Sequence, residues 1–153
     1  MPSRQTIDMF LDQRHIAYVA VSRNPKAFAN SVYRRLRDGG RTLYPVNAAA
    51  GDTIEGDRCY ARLADVPDPV DGVFVIVPAV AMTAVVRDAV ARGVPRVWLH
   101  RGAGQKPVPD EAVRLARDAG LEVVDGACPL MFEEPVRGIH RAHRLLIRHR
   151  FAA

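Results

Sequence analysis

Residues 16–47 constrain the fold more than any other part of the sequence. Ile16-Ala17-Tyr18-Val19-Ala20-Val21 is a continuous apolar run, the pattern of a strand covered on both faces of a parallel sheet. It breaks into the polar turn Ser22-Arg23-Asn24-Pro25-Lys26. A helix over about 27–38 follows, with Val32 and Leu36 on one face, and Gly39-Gly40 stops it. A second strand over 42–46 lies within Thr42-Leu43-Tyr44-Pro45-Val46-Asn47. Strand, short polar loop, helix and parallel strand make the opening half of a nucleotide-type sheet. The loop sits where a buried strand feeds a helix N-terminus, and backbone N–H groups and the helix dipole there favour an anion. It contains no glycine, so the dinucleotide fingerprint G-x-G-x-x-G is absent. Asn47 also stands where a NAD site would place Asp or Glu at the end of the second strand.

The rest of the chain continues the alternation. A short helix is expected over 4–13, a loop over 48–57, an edge strand over 58–61 and a helical turn over 63–66. The strongest strand, Gly72-Val73-Phe74-Val75-Ile76-Val77, is ended by Pro78. A helix over 80–92, a strand over 94–99, a helix over 109–119 and a strand over 121–125 complete the series, with Gly93 and Gly120 as stops. Strands alternating with helices of this length specify a parallel sheet with right-handed crossovers. The fold class is therefore α/β: a Rossmann-like, doubly wound, mainly parallel sheet of five to six strands with helices on both faces. Residues 1–136 are expected to form that domain, and residues 137–153 a basic C-terminal helix packed on it or extending from it.

Charge and composition narrow the partners. With 153 residues the chain is long enough for one buried core. Its net charge of +5 is carried by Arg137, Arg141, Arg144, Arg148 and Arg150, so the body is neutral. A nucleic-acid-binding protein spreads basic residues over a face of its fold, and this one confines the excess to its last helix. No apolar run approaches the roughly 20 residues of a membrane span, and the N-terminal stretch carries Asp8 and Asp12, unlike a signal peptide. The expected location is the cytoplasm, with neither nucleic acid nor membrane as partner. Cys59 and Cys128 are too few and too distant for a disulfide framework or zinc site. His140 and His143 share a helical spacing but have no Asp, Glu or Cys near them, so no metal site is expected.

In a doubly wound sheet the ligand lies beyond the carboxyl ends of the strands. The loops that reach that edge contain Ser22, Arg23, Lys26, Asn47, Pro78 and His100, along with Arg101, Gly102 and Gly104, and Asn30 follows in the first helix. Hydroxyl, cationic and amide groups suit phosphate and ribose contacts. Paired carboxylates are missing, and no catalytic residues are assigned.

Several of these segments, in this order, resemble the stand-alone CoA-binding proteins, whose fold is similar to the CoA-binding domain of the succinyl-CoA synthetase alpha subunit. The resemblance covers roughly residues 12–135. It rests on Ser22-Arg23-Asn24-Pro25, Tyr44-Pro45-Val46-Asn47, Ile54-Glu55-Gly56-Asp57-Arg58-Cys59-Tyr60, Leu63-Ala64-Asp65-Val66-Pro67, Val97-Trp98-Leu99 and Gly120-Leu121-Glu122-Val123-Val124. It implies coenzyme A, or an acyl-CoA, with the pyrophosphate at residues 22–30. The adenosine end would lie near Pro45–Asn47 and the Pro78 loop. Ser22, Arg23, Lys26, Asn30, Asn47, Pro78 and His100 are then the expected ligand contacts. The chain departs from the family pattern by Ala20 and Ala29 in place of glycines, by Asn47-Ala48-Ala49 in place of Asn-Pro-Lys, and by His100 in place of Gln.

The expected function is CoA or acyl-CoA binding without catalysis. Two other classes compete with it. One is a CoA- or nucleotide-dependent transferase or redox enzyme using His100 or Cys128. The other is a degenerate module that has lost its ligand and acts through the basic C-terminal helix, a surface also suited to a homodimer contact or an acidic partner.

Overall fold

The computed structural model describes residues 2–101 and 107–133. The expectations for 137–153, including the basic helix and its histidines, and for Gly102 and Gly104 fall outside those residues. Five strands, β1 (His15–Val19), β2 (Thr42–Val46), β5 (Gly72–Val75), β6 (Arg96–Leu99) and β7 (Glu122–Asp125), form one parallel sheet in the order β2-β1-β5-β6-β7. Two-residue strands β3 (Thr53–Ile54) and β4 (Asp57–Arg58) make a separate antiparallel hairpin. Among the described residues four α-helices cover the sheet: α1 (Arg4–Leu11), α2 (Phe28–Asp38), α3 (Ala79–Arg92) and α4 (Asp110–Asp118).

Alternation along the central strands decides which side chains meet which helices. Ala17, Val19, Val73, Val75, Val97 and Leu99 face α3 and α4, against Met82, Val86, Ala89, Ala112 and Ala116. Ile16, Tyr18, Phe74 and Trp98 point the other way, against Ile7 and Phe10 of α1 and Val32, Tyr33 and Leu36 of α2. One face is thus packed with small β-branched and aliphatic groups and the other with aromatic rings. Trp98 is fully buried, and its indole N–H donates to the Ala127 carbonyl at 2.9 Å, so the polar atom is satisfied. Among the described residues no helix is long and apolar enough to cross a membrane.

The expected elements are present with shorter strands. The first stops at Val19, because Ala20 turns into the left-handed region at φ 77°. The strongest strand stops at Val75, two residues short of Val77. The segment expected as an edge strand over 58–61 contributes Arg58 to β4 and one bridge, Tyr60 to Val46, and Pro45 fits β2 because an edge strand tolerates a missing N–H. The stretch expected as a loop over 48–57 contains the β3–β4 hairpin.

The sheet order places the site. The crossover from β1 to β2 runs one way, and those from β5 to β6 and β7 run the other, so the winding reverses between β1 and β5. Ligands in such sheets bind at the crevice beyond the carboxyl ends of that pair.

Candidate functional site at the reversal of the sheet

The strand exits lie side by side and are tied together. The Ala20 N–H donates to the Val46 carbonyl at 3.1 Å, Ile76 to Val19 at 3.1 Å, and His100 to Val75 at 2.8 Å. Three loops therefore open on one edge. The first, residues 22–27, is a nest of short-range turns. The Ser22 hydroxyl accepts from the Asn24 N–H at 3.0 Å, the Asn24 side-chain oxygen accepts from the Lys26 N–H at 3.0 Å, and the Ala27 N–H donates to the Asn24 carbonyl at 3.0 Å. These are the local side-chain bonds by which Ser and Asn specify turns.

This loop delivers the chain to an open helix end. Ala27 stands at the N-cap of α2, no side chain caps it, and no acid lies in its first turn. The same holds at α3, where Pro78 is the N-cap. Uncapped N–H groups at a helix start favour a bound anion. Arg23 and Lys26 stand exposed beside the first of these ends, so cationic side chains add to the field.

Ala20 takes up the backbone shape that a glycine would adopt freely. Its φ of 77° costs an L-residue with a Cβ roughly 1–2 kcal/mol. The departure from glycine at this position thus leaves the turn intact at the expense of strain. Ala29 lies in the first turn of α2, and its carbonyl accepts from the Tyr18 hydroxyl at 2.7 Å, which pins the helix start to the sheet.

The residues expected as ligand contacts divide by what their side chains do. Ser22, Arg23 and Lys26 share the loop. Asn30 is only 1% exposed; its oxygen accepts from the Ser22 N–H at 2.8 Å, and its amide donates to the Ser22 carbonyl at 2.8 Å and to Glu55 Oε1 at 2.7 Å. Asn47 donates to the Val21 carbonyl at 2.7 Å and accepts from the Ala49 N–H at 2.9 Å. Both amides thus hold the loop in shape. Pro78 stands exposed at the start of α3. His100 is buried, its ring 5.6 Å from that of Phe28 and 5.9 Å from that of Phe74, beneath the start of α2.

Beside the loop is a cleft of about 280 Å³ lined by Val19, Ala20, Val46, Asn47, Ala48, Ala61, Arg62, Leu63, Val85 and Asp88. Its walls are mostly apolar, with Arg62 and Asp88 as the charged groups. Arg62 is paired with Asp65 at 2.9 Å on the surface, the kind of exposed pair that contributes little.

Sequence patterning missed the acidic side of the site. The hairpin tip carries Glu55 and Asp57, which face α2. Arg34 donates to Glu55 at 2.8 Å, Arg37 to Asp57 at 2.7 Å and to the Glu55 carbonyl at 2.8 Å, and the Tyr33 hydroxyl to Asp57 at 2.7 Å. Burial raises the Glu55 pKa, but the hydrogen bonds from Asn30 and Arg34 and the charges of Arg34 and Arg37 outweigh it and hold the carboxyl below its usual range. The one signal available was the pair Glu55-Gly56 between apolar or polar β formers, a hairpin turn pattern. The thiols behave oppositely. Burial pushes Cys128 up to about 11, and Cys59 is likewise raised by burial. Among the described residues no three His, Cys, Asp or Glu side chains gather as metal ligands.

A doubly wound sheet with anion-ready helix starts at its reversal point defines a nucleotide-binding class of α/β domain. Within that class, the sequence profile of the CoA binding domain matches residues 14–134. The chain belongs to the CoA-binding domain family. It is similar to an uncharacterized protein of Bacillus subtilis, YneT, with 24% identity over 128 residues, covering 83% of this chain and 91% of that one. It also resembles the alpha subunit of ADP-forming acetate–CoA ligase II from Pyrococcus furiosus, at 25% identity over 130 residues. That match takes in 80% of this chain and only 28% of the ligase subunit's length. Among solved structures, a hypothetical protein from Pyrococcus horikoshii superposes with a TM-score of 0.76 at 27% identity, covering 90% of this chain and 94% of that one.

Proposed function

We propose that this protein binds coenzyme A or an acyl-CoA and performs no chemistry on it. The pyrophosphate rests against the 22–27 loop and the start of α2, and the adenosine end occupies the cleft between the ends of β1 and β2 and α3. The observation that carries the reading is the pairing of two uncapped, acid-free helix starts at the sheet's reversal with the exposed Arg23 and Lys26. Membership of the CoA-binding domain family points to the same ligand. Mostly apolar walls suit an adenine ring, and Arg62 is the cation available to a ribose phosphate there.

The absence of catalysis is supported by the state of the candidate nucleophiles. A thiol with a pKa near 11, such as Cys128, is almost wholly protonated at neutral pH. His100 is buried, its ring in contact with those of Phe28 and Phe74. The match to the ligase subunit covers 28% of that subunit's length and reaches only its CoA-binding part, so the reading is confined to binding. A cytoplasmic location fits two cysteines left as free thiols.

Isothermal titration with CoA and acetyl-CoA tests the reading. Saturable binding with a Kd below about 1 mM, and an acyl-CoA recovered unchanged after incubation, is the expected result. Absence of saturable heat with either ligand would overturn it.

A further inference from the structure

We propose that Glu55 is a positioning residue for the anion loop: its single carboxylate, carried by the hairpin, grips both ends of residues 22–25. This rests on the reading of that loop as the phosphate site. One arm runs through Asn30, whose amide donates to Glu55 Oε1 at 2.7 Å while the same side chain bonds both the N–H and the carbonyl of Ser22 at 2.8 Å. The other runs through Arg34, which donates to Glu55 Oε1 at 2.8 Å and to the Pro25 carbonyl at 3.1 Å. The Glu55 side chain is 10% exposed and Asn30 is more deeply buried still, so the two bonds to Glu55 are part-buried and charge-assisted on the acceptor side, while the Arg34–Pro25 bond lies at the surface.

Two features mark the carboxylate as serving the loop rather than the hairpin. First, Glu55 occupies a position that disfavours it. It opens a two-residue hairpin turn at φ 53°, followed by Gly56 at 84°, the pattern in which Asn, Asp or Gly is preferred at the first place. A strained residue held against its preference at such a point is retained for its side chain. Second, the hairpin is already fastened to α2 without that carboxylate. Asp57 receives Arg37 and Tyr33, each at 2.7 Å, and the Glu55 backbone carbonyl receives Arg37 at 2.8 Å. What the Glu55 side chain adds is the connection to Ser22 and Pro25.

Three variants separate positioning from simple docking. Glu55→Asn supplies a residue suited to the turn but too short to reach Asn30. Glu55→Gln keeps an oxygen for Asn30. Arg37→Ala loosens the hairpin while leaving both arms of the grip. Each is measured for thermal stability, for exchange of the Ser22 backbone amide by NMR, and for CoA affinity by titration. Glu55→Asn is expected to speed Ser22 exchange and weaken CoA by about tenfold, because a buried amide loses its acceptor, with a fall in Tm smaller than that of Arg37→Ala because the asparagine relieves the strained turn. Glu55→Gln recovers most of both, and Arg37→Ala lowers Tm while leaving exchange and affinity near wild type. Unchanged Ser22 exchange in Glu55→Asn overturns the proposal, as does an Arg37→Ala affinity loss equal to that of Glu55→Asn. If wild type itself does not bind CoA, the reading of the loop as a CoA phosphate site fails. The exchange measurement still decides whether Glu55 orders the loop.

Discussion

The four helices begin in two different ways. At α1 the Ser3 hydroxyl accepts from the Thr6 N–H at 3.1 Å, an ordinary side-chain cap. The first turn of α4 holds Asp110 and Glu111, whose charges complement its dipole. At α2 and α3 neither device is present: Ala27 and Pro78 stand at the N-cap, and both first turns lack acids. A side-chain cap contributes about 1 kcal/mol; α4 also lacks one but carries first-turn acids, whereas α2 and α3, which flank the reversal of the sheet, have neither. The difference teaches that the stability left unused at α2 and α3 is available to a ligand. An anion arriving there supplies the charge and hydrogen bonds that Ser3, Asp110 and Glu111 supply elsewhere.

The comparison breaks most sharply if α2 is made to resemble α4. Ala27→Asp gives α2 a cap and a negative charge where the anion would sit. It is expected to stabilise the fold by about 0.5–2 kcal/mol while weakening CoA binding by about tenfold or more, read by thermal melting and titration on the same sample. A parallel loss of both stability and affinity would contradict the assignment, and so would affinity left unchanged. A smaller effect is expected at the strained turn that feeds the loop. Ala20→Gly removes the cost of a left-handed alanine, so the fold gains about 1 kcal/mol, or roughly 2–4 °C in Tm. A fall in Tm would show that the Ala20 methyl contributes more by packing in the cleft than it costs in strain.

The smallest effect concerns pH. Glu55 is held below the ordinary glutamate value by Asn30, Arg34 and Arg37 despite its burial. Its folded-state pKa is depressed, so its contribution to stability is present above the unfolded value of about 4.3 and is lost as pH falls through the folded value. Wild type should therefore lose stability more steeply than Glu55→Gln below about pH 4, in denaturant melts across that range. Equal slopes would remove Glu55 from the linkage.

Much of this was legible along the chain because it follows from periodicity. The strands at 15–19, 42–46, 72–75, 96–99 and 122–125 have apolar centres, as strands covered on both faces do, and Gly93 and the Gly39-Gly40 pair end their helices where expected. The place of the loop after β1, between a buried strand and a helix start, was legible because it is a matter of order; what it binds is the proposal. What escaped the sequence is set by contacts distant along it. Glu55 lies 25 residues from Asn30 and 21 from Arg34, and nothing local marks it as their partner. Arg34 and Arg37 look like solvent-facing residues of an amphipathic helix until the hairpin is laid against them. Asn30 and Asn47 were expected as ligand contacts, and their amides are engaged in hydrogen bonds that shape the turn. Ala20 is a different case: an alanine carries no sign of its own of a positive φ, and the pointer to it was the glycine that the resembling family has at that place.

The central claim is that the reversal point of this sheet, with its two unprotected helix starts, is where a CoA-type anion binds. Amide-resolved NMR titration of the wild-type protein with CoA tests it most directly. The account predicts saturable shifts concentrated at residues 22–28, 46–48, 61–63 and 79–81, with the start of α4 around Asp110 and Glu111 unmoved. Saturable shifts centred on α4 or on the opposite edge of the sheet would contradict it, as would the lack of any saturable shift at millimolar CoA.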